Sequence, residues 1–468
     1  MIRLPFLAQK HVAVLGLGKS GIATVDALLA SDAMPVVWDD KPQALEDFAA
    51  KYPQVKVAEP EAWDWAQVSM VVLSPGLPYT HPAPHKGVLL AQQNGVEIVG
   101  DIELLYRAQP DATIIAITGT NGKSTTTSLI GHILQQAGRH VQVGGNLGLP
   151  VLAFEPLGAD GIYVVELSSY QLDLVRTTVF DVAVLLNLSA DHIDRHGDLR
   201  GYIAAKEHIF ERQGNEQIAI VGVDDAISES LCHSMIERGM QRVIPIMTTQ
   251  SCDAGIWVED GQLHNALAQP EMMMNLSQCS NLRGEHNHQN AAAAYAACWS
   301  VDVAHADIEK GMMSFPGLAH RMQRIAELDG VVCVNDSKAT NADAAAKSLG
   351  SYEAIYWIAG GVAKEGGIEP LGHYFPRVRK AFLIGAAQDD FAATLEGHVG
   401  YEKNGTMEAA FAAALRAAKM DAVEGAVILL APACASFDQY QNFEQRGEHF
   451  VRLVMDAQAQ NTEAKYAV

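Results

Sequence analysis

Thr113-Ile114-Ile115-Ala116-Ile117-Thr118-Gly119-Thr120-Asn121-Gly122-Lys123-Ser124-Thr125 decides the reading of this chain. The apolar β-branched run 113–117 predicts a strand, and 126–137 predicts a helix. A glycine-rich turn between them places backbone N–H groups and a helix N-terminus in front of an anion. Gly119, Thr120, Asn121, Gly122, Lys123, Ser124 and Thr125 are therefore candidates for a nucleoside triphosphate cradle. Lys123 would neutralise phosphate charge and Ser124 would ligate Mg²⁺. The standard phosphate loop has a further glycine five residues before Gly122, and Ile117 stands there instead. A tight turn carrying a chance lysine is the competing explanation.

Outward from this stretch, short apolar runs alternate with helix-period segments. Upstream, 12–15, 36–38 and 70–73 read as strands and 22–30 as a helix, which suggests a parallel sheet. Downstream, strands are expected at 162–166, 182–188 and 219–221, followed by an alanine-rich helix at 291–299. After Phe315-Pro316-Gly317 a third block begins, with strands at 331–335, 355–359, 381–384 and 427–431 and helices at 342–348 and 407–419. The expectation is an α/β protein of three domains, 1–100, 101–316 and 317–468. A length of 468 residues accommodates this.

A second glycine motif, Gly16-Leu17-Gly18-Lys19-Ser20-Gly21, follows the first strand, and Asp39 ends the next strand. This is the geometry of a dinucleotide site. The motif specifies only a nest for a diphosphate and an acid for a ribose hydroxyl. A nicotinamide dinucleotide and a uridine diphosphate sugar both satisfy it, and a close helix–strand crossing without ligand has the same glycines. Two nucleotide sites in neighbouring domains favour a reaction in which ATP meets an activated substrate.

Other polar residues fall at strand ends. Glu166 closes 162–166, one strand past the phosphate loop, where a Mg²⁺ ligand belongs. His192, in Asp191-His192-Ile193-Asp194-Arg195-His196, can bind metal or move a proton, though loop histidines are commonly surface residues. Lys206 reads from composition as a solvated helix lysine. Asn287 and Asn290 share a helix face and suit either adenine recognition or capping. Arg321, Asp336 and Lys338 lie at the start of the third block and can bring charge to ATP or form salt bridges.

The net charge of −22 disfavours a nucleic-acid partner. The six cysteines lack ligand spacing and read as reduced, buried thiols. No apolar run reaches membrane-spanning length, so a cytoplasmic protein without membrane insertion is expected.

The segments G-T-N-G-K-S-T, E-L-S-S-Y-Q-L, D-H-I-D-R-H, A-A-K, H-N-H-Q-N, H-R-M, N-D-S-K-A-T-N and A-P-A-C-A-S-F-D-Q-Y-Q-N-F occur in this order. Together they resemble the Mur ligase family over nearly the whole chain, most weakly at 211–280. The Asp-Asn-Pro-Arg motif of the diamino-acid-adding members is absent. The resemblance implies an N-terminal Rossmann-like parallel sheet for the UDP-substrate, a central phosphate-loop ATPase sheet, and a C-terminal Rossmann-like sheet for the incoming amino acid. It implies addition of D-glutamate to UDP-N-acetylmuramoyl-L-alanine during cytoplasmic peptidoglycan precursor synthesis; a monomer is expected.

The resemblance also distributes roles. Lys19, Ser20, Asp39, Asp40, Lys41 and Ser74 would bind the uridine nucleotide, although Lys19 and Lys41 are not the usual side chains there. Asn146, Ser168 and Gln171 would meet the muramyl part. Asn287, Asn290, Arg321, Asp336 and Lys338 would join the loop in binding ATP. Thr340, Lys364, Ser436 and Phe443 would hold glutamate, with Lys364 in a variant loop. Lys123, Glu166, His192 and Lys206 would be catalytic. Two Mg²⁺ ions are implied, held by Ser124, Glu166, His192 and a CO₂-derived carbamate on Lys206, which demands a desolvated, neutral amine. The implied chemistry is phosphorylation of a carboxylate by ATP and capture of the acyl phosphate by an amine, with the last domain closing to complete the site.

Overall fold

In the computed structural model the quoted run forms a central strand of one of three main sheets. The structure describes all residues except 190–192, 252–253, 280, 283, 365 and 467–468, and the backbone alone at 194, 285, 286 and 462–466. The chain forms two compact units, Met1–Phe315 and Pro316–Val468.

The first unit holds two sheets. Strands β1 (His11–Leu15), β2 (Met34–Trp38), β3 (Lys56–Val57), β4 (Val68–Leu73) and β5 (Ile98–Val99) form a parallel sheet of order β3-β2-β1-β4-β5. The strand order reverses at β1, so the loops after β1 and β4 flank a crevice. The second sheet contains β6 (Thr113–Thr118), β7 (His140–Gly145), β8 (Gly161–Glu166), β9 (Val182–Leu185), β10 (Ile218–Gly222), β11 (Arg242–Met247), β12 (Ile256–Glu259), β13 (Gln262–Asn265) and β14 (Met272–Asn275). Its order is β14-β13-β12-β11-β10-β9-β6-β8-β7. Strand β6 lies between β8 and β9, in parallel register with both, so the loops after these three strands share one edge.

This sheet is mixed. The β12-β13-β14 meander is antiparallel and lies in the stretch where the family resemblance was weakest. The strand expected at 182–188 stops at Leu185, because the chain then turns to meet the phosphate loop. Helices Lys123–Gln136 and Glu285–Ser300 pack on one face. The run from Ala291 to Cys298 is wholly buried, and its small side chains let that helix lie close to its neighbours.

The second unit carries β15 (Gln323–Leu328), β16 (Val331–Asn335), β17 (Ala354–Gly360), β18 (Val362–Ala363), β19 (Val378–Ile384), β20 (Tyr401–Gly405), β21 (Ala426–Leu430) and β22 (Cys434–Ala435). Six form a sheet of order β15-β16-β21-β17-β19-β20, parallel except for the β15–β16 pair. β18 pairs with β22 antiparallel. The carboxyl ends of β16, β21 and β17 are therefore adjacent. Five cysteines, Cys232, Cys279, Cys298, Cys333 and Cys434, are free and buried, while Cys252 lies outside the described residues. Among the described residues no helix is long and apolar enough to cross a membrane.

Candidate active site

The phosphate loop leaves β6 through two glycines with positive φ, Gly119 at 148° and Gly122 at 86°. A Cβ at Gly122 would run into Asn290 Oδ1, so backbone freedom and space both require glycine there. Ile117, in the place of the standard loop's first glycine, is a buried strand residue, and the turn starts later for that reason. Lys123 Nζ donates to the carbonyls of Gly119 at 2.8 Å and Thr120 at 2.9 Å, folding the ammonium over its own loop.

A set of amides braces this loop. Asn187 Oδ1 accepts from Asn121 N at 2.9 Å, and Asn187 Nδ2 donates to Gln289 Oε1 at 2.8 Å. Gln289 Nε2 in turn donates to Asp224 Oδ2 at 2.8 Å, and Asp224 Oδ1 accepts from Thr248 N at 2.7 Å. Thus β9, β10, β11 and the helix Glu285–Ser300 all tie to the loop. Asn290, a sequence candidate for adenine, is buried behind the loop, where its amide accepts from Thr126 Oγ1 and donates to Asn287 Oδ1, both at 3.2 Å. The bracing role of Asn187, Gln289 and Asp224 was not foreseen from sequence. Their partners are far apart in the chain, and the only local signal was polarity just after a strand.

Glu166 ends β8 beside this loop and is 2% exposed. Its Oε1 accepts from Asn146 Nδ2 at 2.8 Å, while Oε2 is buried with no hydrogen-bond partner. An orphaned carboxylate oxygen next to an anion cradle and the buried Ser124 is a hard-oxygen donor set that fits Mg²⁺. Among the described residues no group of three or more His, Cys, Asp or Glu side chains could hold a metal, but His192, the fourth expected participant, lies outside the described residues.

Lys206 is buried rather than solvated, contrary to its composition-only reading. It occupies the last turn of helix Leu199–Glu207 and donates to Thr118 Oγ1 at 3.2 Å and Gly119 O at 3.0 Å. The Tyr202 hydroxyl pairs with Thr120 Oγ1 at 3.1 Å.

Beyond Glu166, Ser168 and Gln171 form a capping box on a single helical turn. Ser169 Oγ meets His196 Nε2 at 2.8 Å, and His196 Nδ1 faces Asp173 at 3.6 Å. Burial pushes the Asp173 carboxyl up to about 6, against the opposing pull of His208, Arg176, Arg195 and His81. Ser169 and His196 are buried, so this Ser-His-Asp arrangement braces the wall that carries Ser168.

In the first sheet, a Cβ on Gly21 would run into Gly16 O, and one on Gly16 would lie 2.7 Å from Ser74 Cβ. A Cβ on Gly18 would meet nothing, so that glycine faces open space, as a backbone that approaches a diphosphate must. Asp39 spends both oxygens on main-chain donors, Leu17 N at 2.7 Å and Lys41 N at 2.9 Å. The acid expected to meet ribose therefore also fastens the loop after β1. Ser74 Oγ donates to Gly16 O at 2.8 Å, and Asp40 pairs with His85 at 3.2 Å. Lys19 and Lys41 are exposed. Ser20 donates to Asp101 at 2.6 Å, and burial raises the Asp101 carboxyl above the usual range despite that bond.

In the second unit, Arg321 lies in the turn before β15, and Asp336, Lys338 and Thr340 follow β16. Asp336 is buried, bonded to Ser348 Oγ and Met322 N, and burial raises its carboxyl. Lys338 Nζ lies 4.1 Å from the Phe443 ring centroid. Ser436, just after β22, is buried, and Lys364, just after β18, is exposed.

Fold and site define a phosphate-loop α/β protein with a second, Rossmann-type anion nest on a neighbouring sheet. Residues 10–100 match the MurD-like N-terminal domain of Mur ligases, 117–298 the Mur ligase middle domain, and 320–434 the Mur ligase glutamate ligase domain. The chain belongs to the Mur ligase family. It is 49% identical to the UDP-N-acetylmuramoylalanine–D-glutamate ligase of Rhizobium meliloti (strain 1021), covering 96% of this chain and 97% of that one. It is 46% identical to the ligase of the same name from Caulobacter vibrioides (strain NA1000 / CB15N), covering 96% of both. Among solved structures, the UDP-N-acetylmuramate-alanine ligase MurC of Thermotoga maritima shares the fold at 15% identity, with a TM-score of 0.56 over 96% of this chain and 99% of that one. A UDP-N-acetylmuramoyl-L-alanyl-D-glutamate–2,6-diaminopimelate ligase does so at 19% identity, with a TM-score of 0.57 over 85% and 94%.

Proposed function

We propose that this chain is an ATP-dependent acid–amino-acid ligase that joins D-glutamate to UDP-N-acetylmuramoyl-L-alanine in cytoplasmic peptidoglycan precursor synthesis, acting as a monomer. The observation that carries the reading is Glu166 Oε2, a buried carboxylate oxygen without a partner, one strand from a phosphate cradle. The substrates are supported by near full-length identity to relatives named for that reaction.

A carboxylate is a poor acyl donor because it is anionic and lacks a leaving group. Here the alanine carboxylate oxygen attacks the γ-phosphorus of ATP, the bond to the bridging oxygen breaks, and ADP departs. The glutamate amine then attacks the acyl phosphate carbonyl, the carbon–oxygen bond to phosphate breaks, and phosphate leaves as the amine gives up a proton. Such transfer depends on positioning and charge neutralisation. The N–H groups of 119–125 hold the phosphates, and Lys123 exchanges the Gly119 and Thr120 carbonyls for phosphate oxygens. Asn187 keeps Asn121 in place during this exchange. Ser124 and Glu166 would hold one Mg²⁺, and His192 with a carbamate on Lys206 a second. When bound, these ions supply charge neutralisation at the phosphates and at the attacking carboxylate. A carbamylated Lys206 retains one N–H, so one of its contacts, to Thr118 Oγ1 or Gly119 O, survives the modification.

Arg321, Asp336 and Lys338 would bind ATP, the residues around Gly16–Gly21 with Ser74 the uridine nucleotide, Asn146, Ser168 and Gln171 the muramyl part, and Thr340, Lys364, Ser436 and Phe443 the glutamate. The test is phosphate release with UDP-N-acetylmuramoyl-L-alanine against a panel of D- and L-amino acids. Release that requires both the acceptor and D-glutamate is expected. ATP hydrolysis independent of the acceptor, or binding of NAD(H) with indifference to UDP, would refute the reading.

A further inference from the structure

Arg446 lies in the first turns of helix Phe443–Tyr466 and is 1% exposed. Among the described residues it has no carboxylate within ion-pair distance. Its guanidinium instead donates to the chain ends that gather at one edge of the second sheet. Nε meets Ser337 Oγ at 3.0 Å, Nη2 meets Ser337 O at 2.9 Å and Cys434 O at 3.1 Å, and Nη1 reaches Gly360 O at 3.5 Å. Ser337 follows β16, Cys434 opens β22 after β21, and Gly360 ends β17. Ser337 Oγ also donates to Phe443 O at 2.8 Å, which fastens the start of the helix to the same point. Asp438 acts on the guanidinium only through space, its carboxylate being engaged by Ala386 N at 2.9 Å. Burial lowers the guanidinium to about 10, so it stays charged at neutral pH.

Each residue proposed for glutamate lies within four positions of a group that Arg446 joins. Thr340 follows Ser337, Lys364 follows Gly360, Ser436 follows Cys434, and Phe443 precedes Arg446 itself. A planar fork with five N–H donors can serve several fixed carbonyls at once, which a point-charge ammonium cannot. Removing it would take a charged donor from buried carbonyls at three separate strand ends.

We propose that Arg446 is the positioning residue of the amino-acid site, pinning the loops after β16, β17 and β21 and the helix start into the arrangement that receives the glutamate. This inference rests on the function proposed above. The test is steady-state kinetics of the full chain, with each of the three substrates varied in turn, for wild type, R446M, R446K and S337A.

R446M is expected to raise the KM for D-glutamate at least about tenfold, as for the loss of one good charged hydrogen bond. The KM for UDP-N-acetylmuramoyl-L-alanine should stay within about threefold, and that for ATP should rise less than that for glutamate, because of the ATP residues only Asp336 and Lys338, beside Ser337, lie on a pinned loop. R446K should fall between wild type and R446M. S337A, which removes one hydroxyl, should raise the glutamate KM by a smaller factor and decides the matter if the Arg446 variants do not fold. An unchanged glutamate KM in the folded variants would overturn the proposal. So would losses spread equally over all three substrates, the mark of a merely structural role. Wild-type turnover with D-glutamate is the control. Its absence would defeat the proposed function and this inference with it, whereas its presence leaves the variants to judge Arg446 alone.

Discussion

Glu103 offers a prediction whose size follows from the structure. It lies on helix Asp101–Ala108, between the first two sheets, and is fully buried. Its carboxylate accepts from Thr177 Oγ1, from Arg176 N at 2.8 Å, Thr177 N at 3.0 Å, Thr178 N at 3.2 Å and Thr178 Oγ1 at 2.8 Å, with Arg107 Nε at 2.9 Å. Burial alone would raise its pKa, but these donors outweigh burial and bring it from 4.5 to about 2. At ~1.4 kcal/mol per pH unit, the ionised form contributes about 3 kcal/mol to the folded state.

Because the folded value is depressed, that stability is present above the unfolded value of 4.5 and is lost as pH falls towards 2. About a quarter is gone by pH ~4 and more than half by pH ~3. Glu103→Gln puts an amide N–H₂ against N–H donors. It should lower the melting temperature of the unit by roughly 5 to 10 °C at neutral pH. Thermal unfolding of both proteins from neutral pH down to about pH 3 tests this: the gap between them should narrow with acid. A gap that is absent at neutral pH, or that is the same at every pH, would refute the reasoning.

Four further outcomes are expected. Gly122→Ala forces a Cβ towards Asn290 Oδ1 at a positive φ, and should weaken ATP binding at least about tenfold by titration while UDP binding holds. Asn187→Ala frees Asn121 and should raise the KM for ATP by about threefold to tenfold, with the glutamate KM unmoved. Asp173 is raised from 3.8 to about 6, so its stability contribution is full below 3.8 and lost as pH rises through 6; Asp173→Asn should therefore gain melting temperature over wild type between those limits and keep the gain above them. Lys206→Ala should be nearly inactive and partly restored by short carboxylic acids in a phosphate-release assay, and full activity in that variant would return Lys206 to a purely structural role.

Local sequence determined the elements that carry the site. Glycines before a helix, β-branched runs and a lysine-serine pair act over a few residues, and the structure has β6, the loop and the helix Lys123–Gln136 in their expected order. Glu166 and Asp39 were legible as acids at strand ends for the same reason, since one closes β8 and the other directly follows β2. The antiparallel β12-β13-β14 meander was not legible, because its partners are set by pairing rather than by pattern.

Tertiary structure decided which neighbours those residues meet. Lys206 is a solvated helix lysine by composition, yet packing places its amine against Thr118 and Gly119. Asn187 and Gln289 stand 102 positions apart and become bonded because β9 and the helix Glu285–Ser300 converge on one loop. Arg446 meets three strand ends only because β16, β21 and β17 lie side by side, an order opened by inserting the last of these strands between the first two. Short-range periodicity records what a segment will become. A hydrogen bond between distant segments depends on where folding brings them, and no local pattern encodes that.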